Sequence, residues 1–321
     1  MDKQLKLCKR LLPKNIISMY DLSKEAIEGL FSLASMLEKS SQEERKKILK
    51  DKIVAVLFYQ PSTRTRLNFH SAVLNLGGDV IGFSDPSTTR AGDFYKETLE
   101  DVISFTAPLC DLIVLRHFEN FAAKRATSVV DIPIVNAGDG YNEHPTQALG
   151  DIWTMYKELG TLNKKTIGLL GDLSIRSLKA IIISLSKFPI EGFNFLLPPE
   201  KKIPDVLLNV MKENKIKWNI VKNVDSLFEK SDIVETIGIN HPNHNLSKDI
   251  ENKLLEIPKE FLINKELIKR INSSIPILHP GPRTNELTND VDQMPNAAYF
   301  RQVRNGLFMR MAILGSLLVD E

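Results

Sequence analysis

The chain has 321 residues, 43% of them hydrophobic and 26% charged, which suits two domains with packed cores and leaves little room for extended disorder. Its 42 basic and 40 acidic side chains give a formal net charge of +2, so nothing in the bulk balance calls for nucleic acid or an anionic membrane, and any anion site must be local. Two cysteines, Cys8 and Cys110, without Cys-x-x-Cys spacing exclude a disulfide framework and a structural zinc site; with no signal-peptide pattern and no membrane-length apolar run, a cytoplasmic protein is expected.

Short β-branched runs alternate with amphipathic segments, the pattern of parallel sheets covered by helices. Ser23 is placed to cap a helix whose Ile27, Leu30, Ala34 and Leu37 follow the helical period. A strand follows over 53–58, then a helix from Ser62 that buries Phe69, Val73 and Leu76 and ends at Gly77-Gly78. Strands are predicted at 79–83 and 111–115, and a helix over 146–159. A second series runs strand 166–170, helix 175–187, strand 193–197, strand 215–221 and strand 232–237. The last segment, 301–319, reads as a helix with Leu307, Met311, Leu314 and Leu318 on one stripe, packing back on the first domain. The expected fold is α/β: two doubly wound parallel-sheet domains, 1–148 completed by the C-terminal helix 300–321, and 149–299, with the active site in the cleft between them. Polar connections at 85–95 and 239–249 exceed the usual loop length and are candidate functional loops.

The most informative stretch is Tyr59-Gln60-Pro61-Ser62-Thr63-Arg64-Thr65-Arg66, where a strand runs into a hydroxyl-rich helix start. Exposed N–H groups and the positive end of the helix dipole make such a start an anion site, with hydroxyls and Arg64 as further donors. An ordinary helix cap with surface arginines fits the same residues. A lone histidine such as His144 is by type more often a loop or capping residue than a catalytic one, Arg116 at a strand end is equally a rim charge, and 280–282 also reads as a rigid turn. Gly171-Asp172-Leu173 joins a strand to a helix but lacks Gly-x-Gly-x-x-Gly, so no nicotinamide cofactor is expected, nor any other.

In chain order, Ser62-Thr63-Arg64-Thr65-Arg66, Leu115-Arg116-His117, Asn136-Ala137-Gly138-Asp139-Gly140, His144-Pro145-Thr146-Gln147, Gly171-Asp172-Leu173 and His279-Pro280-Gly281-Pro282-Arg283 resemble the aspartate and ornithine carbamoyltransferase family. Tyr299-Phe300-Arg301-Gln302-Val303-Arg304-Asn305-Gly306 resembles its aspartate branch. The resemblance implies that domain 1–148 binds carbamoyl phosphate and 149–299 an amino-acid or small-amine acceptor. It implies that Ser62, Thr63, Arg64 and Thr65 hold the phosphate, and that Arg116 reaches both phosphate and carbonyl oxygen. Arg116, His144 and Thr65 are then the donors toward the carbonyl oxygen, where negative charge builds as an amine attacks. Gln147 and the backbone around Pro280 and Gly281 would fix the carbamoyl NH2, and Arg176 would meet an acceptor carboxylate. The resemblance also implies a homotrimer whose 85–95 loop, with Ser87 and Lys96, reaches a neighbour's site, and a regulatory chain as a possible partner.

The sequence departs from the family at the acceptor side. Gly238 stands where an arginine is expected and Asn240 where a glutamine is expected, so a second acceptor carboxylate would lack a charge-assisted partner. Aspartate is then either a weak substrate or served by another cation, with Arg176, Lys96 and Arg283 the candidates. Gln60 replaces a frequent glutamate, and His241 and His244, with Pro242 between them, read as loop residues rather than metal ligands.

Overall fold

The computed structural model describes residues 1–91, 96–239, 257–271 and 273–320. The chain divides into two units, one formed by Met1–Trp153 with the residues from Arg304 onward, the other by Thr154–Val303.

In the first unit, β1 (Ile53–Phe58), β2 (Asp79–Phe83), β3 (Leu112–His117) and β4 (Ile134–Asp139) form a parallel sheet in the order β2-β1-β3-β4. β1 is apolar at every position and buried beyond Ile53, as expected of a central strand closed on both faces. On one face Ala55, Leu57, Ile113 and Leu115 pack with residues of helices Leu99–Thr106 and Ala122–Ala126. Val54, Val56 and Phe58 alternate to the other face and are equally closed to solvent. Helix Thr63–Leu76 packs against β1 and buries Phe69, Val73 and Leu76 completely. It ends at Gly77, whose φ of 87° a side chain would resist and whose Cβ would fall 1.9 Å from the Lys46 carbonyl oxygen.

From β1 the chain steps to β2 on one side and to β3 on the other, which makes the carboxyl ends of β1 and β3 the switch point where ligands of such sheets bind. Phe58 pairs with Arg116 in register, and the Tyr59 N–H donates to the Arg116 carbonyl at 2.8 Å. β3 therefore runs past its predicted end at residue 115 and carries Arg116 and His117 on the strand. Strand β4 and helix Asp2–Leu11 were not expected from the sequence.

In the second unit, β5 (Thr166–Leu170), β6 (Gly192–Leu196), β7 (Lys217–Ile220), β8 (Ile233–Thr236) and β9 (Ile277–Leu278) form a parallel sheet in the order β7-β6-β5-β8-β9. Its switch point lies between β5 and β8, and Gly171 follows β5 there with φ 135°. A Cβ at Gly171 would meet Ile237 Cγ2 at 2.3 Å, so the close approach of the two strand ends requires glycine. One core cluster joins Leu170, Leu196 and Val234 to Leu227, Phe228, Phe261 and Ile277. Among the described residues no helix is long and apolar enough to cross a membrane, and no group of acidic, histidine or cysteine side chains is placed to hold a metal ion.

Candidate active site

The site in the first unit grows from the β1/β3 switch point. Ser62 is the N-cap of helix Thr63–Leu76, and its own side chain makes no capping bond, so the hydroxyl and the first N–H groups are not spent on closing the helix. Thr63 and Arg64 are exposed, and Thr65 is buried. Arg116 lies half-buried at the end of β3, its Nη1 donating to the Ala137 carbonyl at 3.3 Å.

His144 is brought to these residues by a loop held from within. Asn136 Nδ2 donates to Asp139 Oδ1 at 2.8 Å, and the Gly138 N–H donates to Asn136 Oδ1 at 2.8 Å. Glu143 accepts from the Met19 N–H at 2.8 Å and from the Ser18 hydroxyl at 2.5 Å, which pins the residue before His144. Burial pushes the Asp139 carboxyl above its usual range, while bonds from Asn136, Asn142 and backbone N–H groups work against that rise. These bonds hold the loop that carries His144.

His144 is 5% exposed, with its Nε2 3.4 Å from Thr65 Oγ1 and 3.5 Å from Arg116 Nη1. Both separations are at the long edge of hydrogen bonding, as catalytic contacts often are before substrate tightens them. Because a guanidinium only donates, Nε2 acts as acceptor toward Arg116 in this arrangement; donating to a carbonyl oxygen requires the proton on Nε2. Three groups from three elements thus converge, and all three were singled out in the sequence. Gln147, in the first turn of helix Pro145–Leu159, donates its Nε2 to Asp151 Oδ1 at 2.7 Å. Asp151 was not foreseen, and only its place one helical turn after Gln147 signalled it. His117 is buried against Tyr59 and accepts the Glu119 N–H through Nδ1 at 3.0 Å, which supports the end of β3.

In the second unit, Arg176 opens helix Arg176–Leu185 beside Asp172, whose carboxylate pairs with Lys201 at 2.7 Å. Burial tends to raise the Asp172 pKa, but the bonds from Lys201 and Ser174 win and hold it below the usual carboxylate range. Pro280 and Gly281 lie in a turn organised by buried side chains. The Gly281 N–H donates to His279 Nδ1 at 2.8 Å, His279 Nε2 meets Glu286 Oε1 at 2.8 Å, and the His279 N–H donates to Gln302 Oε1 at 2.8 Å. Arg283, a candidate cation for an acceptor carboxylate, is instead bonded to Asp292, Asn289 and Tyr299. Its guanidinium is held above its usual range by Asp292 and is committed to the fold.

Gly238 follows β8 and supplies no side chain there. Asn240, His241 and His244 lie outside the described residues, as does part of the 85–95 loop. Lys96 is exposed with a left-handed φ of 47°.

Residues 14–157 match the family model described as aspartate/ornithine carbamoyltransferase, carbamoyl-P binding domain, and residues 163–317 match its Asp/Orn binding domain. The aspartate carbamoyltransferase catalytic subunit of Azobacteroides pseudotrichonymphae is 38% identical over 313 residues, covering 95% of this chain and 98% of the relative. Among solved structures, the catalytic subunit of M. jannaschii aspartate transcarbamoylase superposes with a TM-score of 0.85 at 34% identity, covering 95% of this chain and 98% of that one. Aspartate transcarbamoylase from Trypanosoma cruzi, in complex with carbamoyl phosphate and aspartate, gives 0.83 at 31% identity and 96% of both chains. Matched along both units and at these identities, the chain belongs to the aspartate/ornithine carbamoyltransferase family of enzymes.

Proposed function

We propose that the chain transfers the carbamoyl group of carbamoyl phosphate to the α-amino group of an amino acid, with aspartate the first candidate acceptor. In that reaction the amine nitrogen bonds to the carbonyl carbon, the bond from that carbon to the phosphate oxygen breaks, and the departing phosphate takes up the amine proton. The observation that carries the reading is the convergence of Thr65 Oγ1 and Arg116 Nη1 on His144 Nε2 beside the helix start at Ser62. The helix start and Arg64 suit the phosphate, and the three convergent groups suit the oxygen on which charge develops. Gln147 suits the carbamoyl NH2, and Arg176 suits the acceptor α-carboxylate. The proposal extends to formation of carbamoyl aspartate for pyrimidine synthesis in the cytoplasm, and to a homotrimer in which Lys96 serves a neighbouring site, with a regulatory chain as a further partner.

A second reading, carbamoyl transfer to an amine other than aspartate, is favoured by one feature. Gly238 offers no cation, and Arg283 is engaged by Asp292. A panel of amino acids and small amines, assayed for phosphate release from carbamoyl phosphate, tests both readings. Saturation by sub-millimolar aspartate supports the first, turnover with another amine in preference to aspartate supports the second, and no amine-dependent release refutes both.

A further inference from the structure

The amide of Gln147 has two ends that differ in what they recognise, and its neighbours decide which end faces inward. Asp151 Oδ1 lies 2.7 Å from one end. An ionised carboxylate only accepts, so that end must be the NH2, and the carbonyl oxygen Oε1 is turned away. Asp151 is wholly buried, which by itself would favour its neutral form. The opposing charge comes from Arg310 on helix Tyr299–Leu318, a guanidinium enclosed by protein. Arg310 Nη1 donates to Asn68 Oδ1 at 3.2 Å and to the Gly306 carbonyl at 3.1 Å, and the guanidinium carbon sits 5.1 Å from the centre of the Phe69 ring. Its Nε is buried with no hydrogen-bond partner among the described residues. Burial pushes its pKa down to about 10, and the charge of Asp151 works against that fall.

Two glycines make room for this arrangement. A Cβ at Gly306 would lie 2.7 Å from Arg310 Nη1, and one at Gly150 would lie 3.2 Å from the Gly306 Cα. The helices carrying Asp151 and Arg310 therefore meet backbone to backbone beside the pair.

We propose that Asp151, buried and accepting from the Gln147 amide, is a positioning residue that fixes that amide with its oxygen presented, so that the site selects a phosphorylated group bearing N–H donors over an isostere without them. The inference rests on the reading that Gln147 meets the carbamoyl NH2. Acetyl phosphate, which has a methyl group in place of that NH2, is the isostere, and inorganic phosphate reports the phosphate-binding half alone.

The test is calorimetric Kd measurement for carbamoyl phosphate, acetyl phosphate and inorganic phosphate with the wild type, Asp151→Asn and Gln147→Met. The amide introduced by Asp151→Asn can donate as well as accept, so the Gln147 amide loses its preferred orientation. The expected result is that Asp151→Asn reduces the preference for carbamoyl over acetyl phosphate by about tenfold, the scale of one hydrogen bond, while phosphate binding is unchanged. If Asp151→Asn does not fold, the double variant Asp151→Asn with Arg310→Gln, which removes both buried charges, carries the same expectation. Equal weakening of all three ligands would mean a structural role only and overturn the inference. So would an intact preference in Asp151→Asn alongside its loss in Gln147→Met. An intact preference in Gln147→Met would instead refute the reading that Gln147 meets the NH2, and the inference with it.

Discussion

Replacing Glu286 by alanine should destabilise the second unit severely, and the structure says why. Its carboxylate accepts from His279 Nε2 at 2.8 Å, from the Thr284 N–H at 3.0 Å and from the Thr284 hydroxyl. Thr284 is half-exposed and can turn to water, but the His279 side chain is 2% exposed and cannot. With Nδ1 already accepting the Gly281 N–H, the ring is the tautomer protonated at Nε2, so the variant strands a buried donor. One such donor costs about 1–3 kcal/mol. At a typical urea dependence this lowers the denaturation midpoint by about 1 M. The effect has a pH signature. Burial tends to raise the Glu286 pKa, but the bonds from His279 and Thr284 prevail and hold it below its usual range. A carboxyl whose folded pKa is depressed contributes stability above its unfolded value, and that contribution is lost as pH falls through the folded value. Glu286→Gln, which keeps an acceptor but cannot titrate, should therefore show a shallower loss of stability below about pH 4.5 than the wild type. An alanine variant within about 0.5 kcal/mol of the wild type, or superimposable acid limbs for wild type and Glu286→Gln, would refute the reasoning.

Arg64→Ala should weaken carbamoyl phosphate binding by about 1.5–3 kcal/mol, roughly 10- to 150-fold, and unchanged affinity by calorimetry would remove Arg64 from the site. His144→Ala should lower kcat by about 10²-fold if its Nε2 faces the developing oxyanion, and near-wild-type turnover would make it a structural residue. Gly171→Ala should lose about 1–3 kcal/mol from backbone strain alone, before the clash with Ile237, which thermal denaturation would register. Mixing Arg64→Ala with Lys96→Ala chains should restore part of the activity if sites are shared; a fully active monomer in solution would contradict sharing.

The strand-to-helix passage from β1 through Ser62 was legible because an unbroken apolar run and a hydroxyl-rich helix start are local signals. The same holds for β5 with Gly171. Strand β4 was not legible, since Asn136, Gly138 and Asp139 interrupt its apolar pattern with buried polar groups that bond one another. Helix Asp2–Leu11 hid behind its charges. The contact of Thr65 with His144 joins positions 79 residues apart, and no periodicity announces such a pairing; the motif resemblance supplied it. Asp151 and Arg310 escaped because buried charge is written in sequence like surface charge. Arg283 misled for the same reason, since its partner Asp292 is a matter of folding.

The first unit is discontinuous, and that has a consequence for how the protein is made. The chain segment bearing Thr65, Arg116 and His144 is synthesised first, then all of Thr154–Val303, and only afterwards the residues from Arg304 that belong to the same unit. At ordinary translation rates the early segment waits roughly ten to thirty seconds for Met311 and Leu314, which are fully buried in the finished protein. Until then the apolar surface those side chains will meet is incomplete on the nascent chain, whereas Thr154–Val303 is already contiguous and able to fold. Loss of the last helical turns would thus be felt in the early segment of the same unit, where helix Thr63–Leu76 resides.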